Sequence, residues 1–422
     1  MTAMDLFGRL LASTGMVRSS AQRSAERLAT LLRSLASQRG EASGAVLARR
    51  AVGLYGRLDA EGRRRLFEIL ARDFSPDRQS VLDAAAAYAR NGSPASLVHL
   101  QHAAEPLRQE VFRRMNMAPG GTATLLGLRV ELLEAMKGDP ALASVDHDLV
   151  HLLSSWFNRG FLELRRIDWN TPAAILEKLI AYEAVHEIRG FPDLKRRLQR
   201  DRRCFAFFHP ALPDEPLIFV EVALVDELPS QIAPIIALDS EVAEPRRAYC
   251  AAFYSITSCQ PGLRGISFGN FLIKQVASDM QAELPNLKLF ATLSPIPGLR
   301  NWIEKNAPGE ESRERLEALA AWYLTREWEN GQARDSVARF HFGNGARLER
   351  LNWQADASPK GLAQSFGMMV NYVYDLRMVE RNHEEYVNRR HVVCSGAVEK
   401  LARAGEAILP RKPTAPSAPV PG

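Results

Sequence analysis

Ala251-Ala252-Phe253-Tyr254-Ser255-Ile256-Thr257 leads, through Ser258 and Cys259, into Gln260-Pro261-Gly262-Leu263-Arg264-Gly265-Ile266-Ser267-Phe268-Gly269-Asn270-Phe271-Leu272-Ile273. The first seven residues are small, aromatic or β-branched, the texture of a buried strand. A proline and three glycines then mark a turn, and from Phe268 apolar residues return at helical spacing, predicting a helix over 268–284. A strand, a glycine-bearing turn and a helix in this order aim several backbone N–H groups at one point. The helix dipole adds positive potential there, so the turn suits an anion. Gly265 and Gly269 would let that anion approach the main chain, and Arg264 adds charge. The same pattern also serves as a plain connection between elements. The G-x-G-x-x-G order of dinucleotide sites is absent.

Outward from this point the chain has two textures. Up to about Arg203, apolar residues recur at helical spacing: Leu66, Phe67, Ile69, Leu70 and Phe74 form one stripe, and Leu125, Leu126, Val130, Leu132 and Leu133 another. Ser93-Pro94 and Thr171-Pro172 read as helix starts, Asn91-Gly92 and Gly190 as stops. After Arg203, short runs at Cys204–Phe208, Leu217–Val225, Ala248–Thr257 and Leu287–Leu293 read as strands. They alternate with helical patterns at 268–284 and Glu311–Glu327. Further strands are expected at Val337–Phe342, Ala346–Asn352 and Met368–Asp375, with Asn344-Gly345 as a hairpin turn between the first two. A last helix is expected over Val392–Ile408. The fold class is therefore multidomain α and α/β: an all-helical domain over 1–200, then a mixed α/β sheet domain over 201–408. The Pro-, Ala- and Ser-rich stretch 409–422 is expected to be a disordered tail.

The 422 residues exceed one ordinary core. With 46% hydrophobic and 24% charged residues, the composition is that of a globular protein, and no apolar run is long enough to span a bilayer. The start, Met1 to Arg27, lacks the long apolar stretch of a secretory signal. Rich in Arg and Ser, it has some character of an organelle transit peptide. An amphipathic first helix continuing into Ala21–Gln38 is the preferred reading, with a cytoplasmic location. A net charge of +5 suits a polyanionic partner. Nucleic acid is not expected, because no helix-turn-helix, zinc-finger or ribonucleoprotein signature is present. Cys204, Cys250, Cys259 and Cys394 form no CxxC pair and no zinc spacing with histidine. Cys250 and Cys259 read as apolar packing, and neither a disulfide framework nor a metal is expected.

Two side chains stand out downstream. Leu289-Phe290-Ala291-Thr292-Leu293-Ser294-Pro295-Ile296-Pro297-Gly298 ends a strand at Ser294, where two prolines stiffen the backbone behind the hydroxyl. His341 sits between Phe340 and Phe342, near the expected hairpin turn. Taken singly, each has an ordinary structural reading, a turn serine and a packed histidine. The same holds for His99, His102, His147, His151, His186, His209, His383 and His391.

Taken together, these segments resemble the malonyl-CoA decarboxylase family. The resemblance is carried by Phe207-Phe208-His209-Pro210, Phe253-Tyr254-Ser255-Ile256, Gly262-Leu263-Arg264-Gly265, Phe271-Leu272-Ile273-Lys274 and Leu293-Ser294-Pro295-Ile296-Pro297-Gly298. It continues through Ala321-Trp322-Tyr323-Leu324, Phe340-His341, Asn344-Gly345-Ala346, Leu351-Asn352-Trp353 and Asn371-Tyr372. It spans nearly the whole second half, while the helical half matches in length and character. The resemblance implies a helical domain followed by an acetyltransferase-like domain, acting on malonyl-CoA to yield acetyl-CoA and carbon dioxide without a cofactor. It implies Ser294 and His341 as the catalytic pair. Substrate binding falls to Arg264, Gly265, Ile266, Ser267, Phe268, Gly269 and Asn270 with that pair, and the helical domain is expected to support a homo-oligomer and to form one wall of the active site. The turn at 264–270 is similar to the coenzyme A pyrophosphate loop of acetyltransferase-like folds, with Ser267 where a glycine is expected; some family members carry Glu there. On this reading decarboxylation leaves a thioester enolate, which His341 protonates because imidazole titrates near neutral pH. Ser294 hydrogen-bonds the departing carboxylate or the acyl oxygen. The rival readings are an acyl-CoA N-acyltransferase on the same fold and a non-catalytic malonyl-CoA sensor.

Overall fold

The apolar stripes of the first half form helices because local signals start and stop them where the period requires. A computed structural model describes residues 20–37, 40–266, 272–309 and 311–409; the expectations for residues 1–19 and for the tail beyond Leu409 fall outside these. Asp59 accepts the Gly62 N–H at 2.8 Å to cap the helix Ala60–Asp73. Ser93 caps Pro94–Ala104 with the proline in its first turn, and Gly92, in the left-handed region at φ 55°, ends Arg78–Asn91. Leu66, Phe67, Leu70 and Phe74 are buried, as their spacing requires. On the helix Gly121–Ala135 the stripe is rotated from the expected one. Val130 is exposed, and Leu128 and Arg129 turn inward instead.

These helices and their neighbours make one unit, comprising the described residues up to Leu162 together with His209–Pro213 and 260–266. Its interior carries charge as well as leucines. Arg108 pairs with Asp148, both buried, and Arg129 pairs with Asp146 at 2.7 Å. A buried ion with its partner removed is costly by about 3–5 kcal/mol, so such pairs are constraints on the packing more than sources of stability.

The second unit takes in Glu163–Phe208, Asp214–Cys259 and the described residues from 272 onward. The change of unit therefore comes between Leu162 and Glu163, earlier than the boundary expected at residue 200. The reason is a strand that carries no β-rich run. Glu-Leu-Arg-Arg-Ile at Glu163–Ile167 (β1) is strand only because it pairs with the edge of β2, Arg202–Phe208, from Glu163 opposite Phe208 to Ile167 opposite Cys204. The helices Ala173–Tyr182 and Phe191–Arg197 follow it and cover the sheet. Ile175, Leu176, Leu179 and Leu194 share a core with Cys204, Phe208, Phe219 and Cys259. Gly190, expected as a helix stop, instead precedes a helix.

The remaining strands are β3 (Ile218–Val225), β4 (Cys250–Ser258), β5 (Leu289–Thr292), β6 (Ser294–Pro295), β7 (Trp328–Glu329), β8 (Gln332–Ala333), β9 (Arg347–Asn352) and β10 (Met369–Val373). In the main sheet β1, β2, β3 and β4 are antiparallel neighbours, β4 and β5 are parallel, and β10 runs antiparallel to β5, β6 and β9. β2 is buried throughout, and β3 and β4 nearly so, which accounts for their unbroken apolar runs. The parallel pair is joined across the helix Leu272–Glu283. β7 and β8 form a separate hairpin.

The main sheet opens between its two parallel strands. β4 and β5 pair only from Cys250–Leu289 to Phe253–Thr292, after which β4 continues to Ser258 with β3 alone. β5 stops at Thr292, and β6 resumes the same side of β10 after a break at Leu293. The parallel strands thus part beyond Phe253 and Thr292. A mixed sheet with a splayed parallel pair, after a helical unit, is the expected acetyltransferase-like arrangement. Among the described residues no helix is long and apolar enough to cross a membrane.

Candidate active site

The segment expected as the strand Val337–Phe342 is a helix, Ser336–Gly343. Asp335 starts it, accepting the N–H groups of Val337 and Ala338 at 3.0 and 2.9 Å. The buried positions Ala338, His341 and Phe342 follow a helical, not an alternating, period. Asn344-Gly345 ends this helix instead of turning a hairpin. Gly345 has φ 76° and lies so close to the next element that a Cβ would stand 2.0 Å from the Val379 carbonyl oxygen. The change of element moves His341 from a strand edge to the buried face of a helix, in its last turn.

Ser294 and His341 meet there. Ser294 Oγ lies 3.0 Å from His341 Nε2, and both residues are buried. His341 Nδ1 lies 2.7 Å from Tyr374 Oη. The imidazole stacks on Tyr372, with ring centroids 4.3 Å apart. Ser294 Oγ also donates to Thr292 Oγ1 at 2.8 Å. The side chains Ser255, Ser294, Phe340 and His341 line a cavity of about 380 Å³ that also reaches Phe253 and Ser258 of β4, where the parallel strands part.

Burial decides the electrostatics. It pushes the His341 pKa down to about 3, so the ring is a neutral imidazole at physiological pH. This corrects the expectation of a group titrating near neutrality. Burial likewise holds the Tyr372 and Tyr374 hydroxyls well above the ordinary phenol range. The partner of Nδ1 is thus an uncharged phenol, not a carboxylate.

The surrounding residues hold this set rigidly. Asn371, fully buried, donates to the Thr292 carbonyl at 2.9 Å and to the Pro229 carbonyl at 3.0 Å. Its own oxygen accepts from Asn352 and Arg350. Gly298 closes the Ser-Pro-Ile-Pro-Gly run where a Cβ would meet Tyr323 Oη at 2.6 Å. Thr292, Tyr374, Asn371 and Asp335 do not stand out as site residues in the sequence. Strand alternation contains part of the signal: Thr292 and Ser294 are two residues apart, as are Tyr372 and Tyr374. Which face they share with a histidine about fifty residues away is not a local property.

Of the expected binding stretch, Arg264, Gly265 and Ile266 belong to the helical unit, and Ser267, Phe268, Gly269 and Asn270 lie outside the described residues. Arg264 is exposed and Ile266 buried. Gly265 takes φ 79°, with open space around its absent side chain. The turn is anchored one step earlier. Arg129 donates to the Gly262 carbonyl at 2.8 Å, and a Cβ at Gly262 would lie 2.4 Å from the Leu126 carbonyl oxygen. His209 serves a turn, with Nε2 3.1 Å from the Trp156 carbonyl and its ring against Phe157. Cys204, Cys250 and Cys259 are buried free thiols, and the last belongs to the sheet's apolar core. Among the described residues no group of three His, Cys, Asp or Glu side chains is placed to hold a metal ion.

A helical unit followed by a mixed sheet with a splayed parallel pair, and a buried Ser–His contact in the splay, defines a two-unit protein of the acetyltransferase-like class. Comparison with known proteins narrows this. The family model for the malonyl-CoA decarboxylase N-terminal domain matches residues 74–157, and that for the C-terminal domain matches 160–314 and 302–411. Mitochondrial malonyl-CoA decarboxylases of Anser anser anser and Rattus norvegicus are each 34% identical to the chain. The first alignment covers 82% of this chain and 81% of the relative, the second 83% and 84%. Crystal structures of malonyl-CoA decarboxylases from Rhodopseudomonas palustris and Agrobacterium vitis are 45% and 46% identical, each with a TM-score of 0.84 over 89% of this chain and 99% of theirs. The chain belongs to the malonyl-CoA decarboxylase family, and it is a carboxy-lyase.

Proposed function

We propose that this enzyme takes malonyl-CoA to acetyl-CoA and carbon dioxide, with Ser294 and His341 acting on the malonyl group. The observation that carries the assignment is the 3.0 Å contact between Ser294 Oγ and His341 Nε2 in the wall of a cavity between parting strands. The bond between the α-carbon and the carboxylate breaks, its electron pair passes into the thioester as an enolate, and carbon dioxide leaves. The thioester is the electron sink. When substrate binds, the Ser294 hydroxyl turns its proton from Thr292 to the departing carboxylate or the acyl oxygen, a contact of the kind worth about 3–4 kcal/mol in comparable sites. His341, neutral because it is buried, gives its Nε2 proton to the α-carbon, a far stronger base than an imidazole nitrogen. Nδ1 takes the Tyr374 hydroxyl proton in exchange; a proton from water then returns to Nε2 and the Nδ1 proton goes back to Tyr374, so the resting form is restored and each turnover consumes one proton.

Arg264, Gly265 and Ile266, with Ser267, Phe268, Gly269 and Asn270, are proposed to hold the nucleotide end of the substrate. The exposed guanidinium and the left-handed glycine support this, since both suit an anion at the main chain. The reading extends to a cytoplasmic homo-oligomer, which light scattering and fractionation check.

The test is carbon dioxide release from malonyl-CoA with no acyl acceptor present. The wild type is expected to form acetyl-CoA. Ser294→Ala should lose about 10²–10³-fold in kcat, and His341→Asn about 10²–10⁴-fold, with coenzyme A binding retained in both. Near-normal turnover in either variant removes that residue from the pair, and a requirement for an amine acceptor would make the enzyme a transferase.

A further inference from the structure

We propose that Thr292 is a positioning residue that sets the direction of the hydrogen-bond chain through His341, keeping the imidazole proton on Nε2, the nitrogen that faces Ser294. The inference rests on the reading of His341 as proton donor and adds what makes the donating nitrogen the protonated one.

The number of available protons fixes the direction. Thr292 is fully buried at the end of β5. Its hydroxyl oxygen accepts from two donors, the Tyr372 backbone N–H at 3.3 Å and the Ser294 hydroxyl at 2.8 Å. A threonine hydroxyl can accept from a backbone N–H and still donate, so the direction is set by the geometry of the hydroxyl pair, in which Ser294 Oγ is the donor and Thr292 Oγ1 the acceptor. A serine hydroxyl has one proton. With that proton committed to Thr292, Ser294 Oγ can meet His341 Nε2 at 3.0 Å only by accepting from it. The protonated nitrogen is then Nε2, and Nδ1 must accept from Tyr374 Oη at 2.7 Å. The chain then runs in one direction: Tyr374 to His341, His341 to Ser294, Ser294 to Thr292.

The opposite direction would place the proton on Nδ1, leaving Nε2 a lone pair that can only accept. A neutral imidazole in that form has no proton on the nitrogen facing the cavity. Thr292 is itself fixed from behind, because its carbonyl accepts from the buried Asn371. The break at Leu293 puts Thr292 and Ser294 two residues apart and close enough to bond, on separate strands beside β10.

The experiment uses the full chain labelled with ¹⁵N at histidine, and reads the tautomer of His341 from two-bond ¹H–¹⁵N correlations, its signal being assigned by its loss in His341→Asn. The wild type and Thr292→Ser are expected in the Nε2–H form. Thr292→Val keeps the shape but removes the acceptor, so the Ser294 proton turns to Nε2 and His341 shifts to the Nδ1–H form. Its kcat should fall about 10²-fold with KM changed by less than about threefold, and Thr292→Ser should retain most of the turnover. Tyr374→Phe, which removes the other end of the chain, should keep the Nε2–H form. The proposal is overturned if Thr292→Val leaves the tautomer unchanged, or if Tyr374→Phe flips it, whatever the turnover of either variant. A flipped tautomer in Thr292→Val with undiminished kcat would leave the chain's direction standing and sink the proton-donor role of His341. Should Thr292→Val not fold, the Tyr374→Phe spectrum still decides between the two ends.

Discussion

His341 shows how far a residue's surroundings override its type. Free imidazole titrates near 6.5, but burial brings His341 down to about 3. Charging the ring would cost desolvation that the Tyr374 phenol and the Ser294 hydroxyl do not repay as a carboxylate would. The neutral form, which on the proposed mechanism carries the transferable proton, therefore persists as pH falls through the usual histidine range. At saturating malonyl-CoA, kcat should show no His341 inflection between about pH 5 and 8. A profile with a step near pH 6.5, shifted by Tyr374→Phe, would mean that the imidazolium is the working form. The residue types are legible in the sequence: a serine stiffened by two prolines and a histidine between phenylalanines both stand out, and they do meet. Their partners are less so. Thr292 and Tyr374 are ordinary strand residues until another element supplies His341, and their chemistry depends on that contact.

At the scale of elements, the segment that departs from its local pattern is the instructive one. Val337–Phe342 reads as a strand because an apolar residue alternates with Arg339 and His341, and Asn344-Gly345 reads as a hairpin turn. Asp335 carries the contrary signal, a side chain two and three residues before the N–H groups it caps. The same glycine serves either reading, since a positive φ suits a helix end as well as a hairpin. Its neighbourhood allows a direct check. Gly345→Ala puts a methyl group against the Val379 carbonyl and forces a left-handed conformation on alanine. It should destabilise the fold by about 2 kcal/mol or more, lowering the melting temperature and, with the His341 helix displaced, turnover as well. Unchanged melting would show that the contact relaxes freely. β1 departs from its composition for the complementary reason. Glu163, Arg165 and Arg166 give it no strand propensity, and its pairing with β2 supplies the order that its composition does not.

For the molecule as a whole, burial of neutral histidines ties stability to pH. His341 is lowered to about 3 and His186, also chiefly by burial, to about 4, whereas in the unfolded chain both titrate near 6.5. Between these values the unfolded state binds more protons, so stability rises with pH across that window. The contribution is complete above about pH 6.5 and is lost as pH falls toward 4 and then 3. Urea unfolding at pH 7 and pH 5 should show the wild type losing more stability on acidification than His186→Gln does. Equal losses would mean that His186 is solvated or charged in the native state.

Two textures, the strand and turn at 251–266 and the helix from Leu272, the Ser-Pro corner and the family are all readable in the linear order, because periodicity, capping and turn chemistry act over a few residues. The point where the helical unit ends, the helical state of 336–343, the neutrality of His341 and the four-membered hydrogen-bond chain are decided only in three dimensions. Strand pairing, desolvation and the direction of a shared proton each depend on atoms brought together from distant parts of the chain, and no local pattern encodes the energy of that meeting.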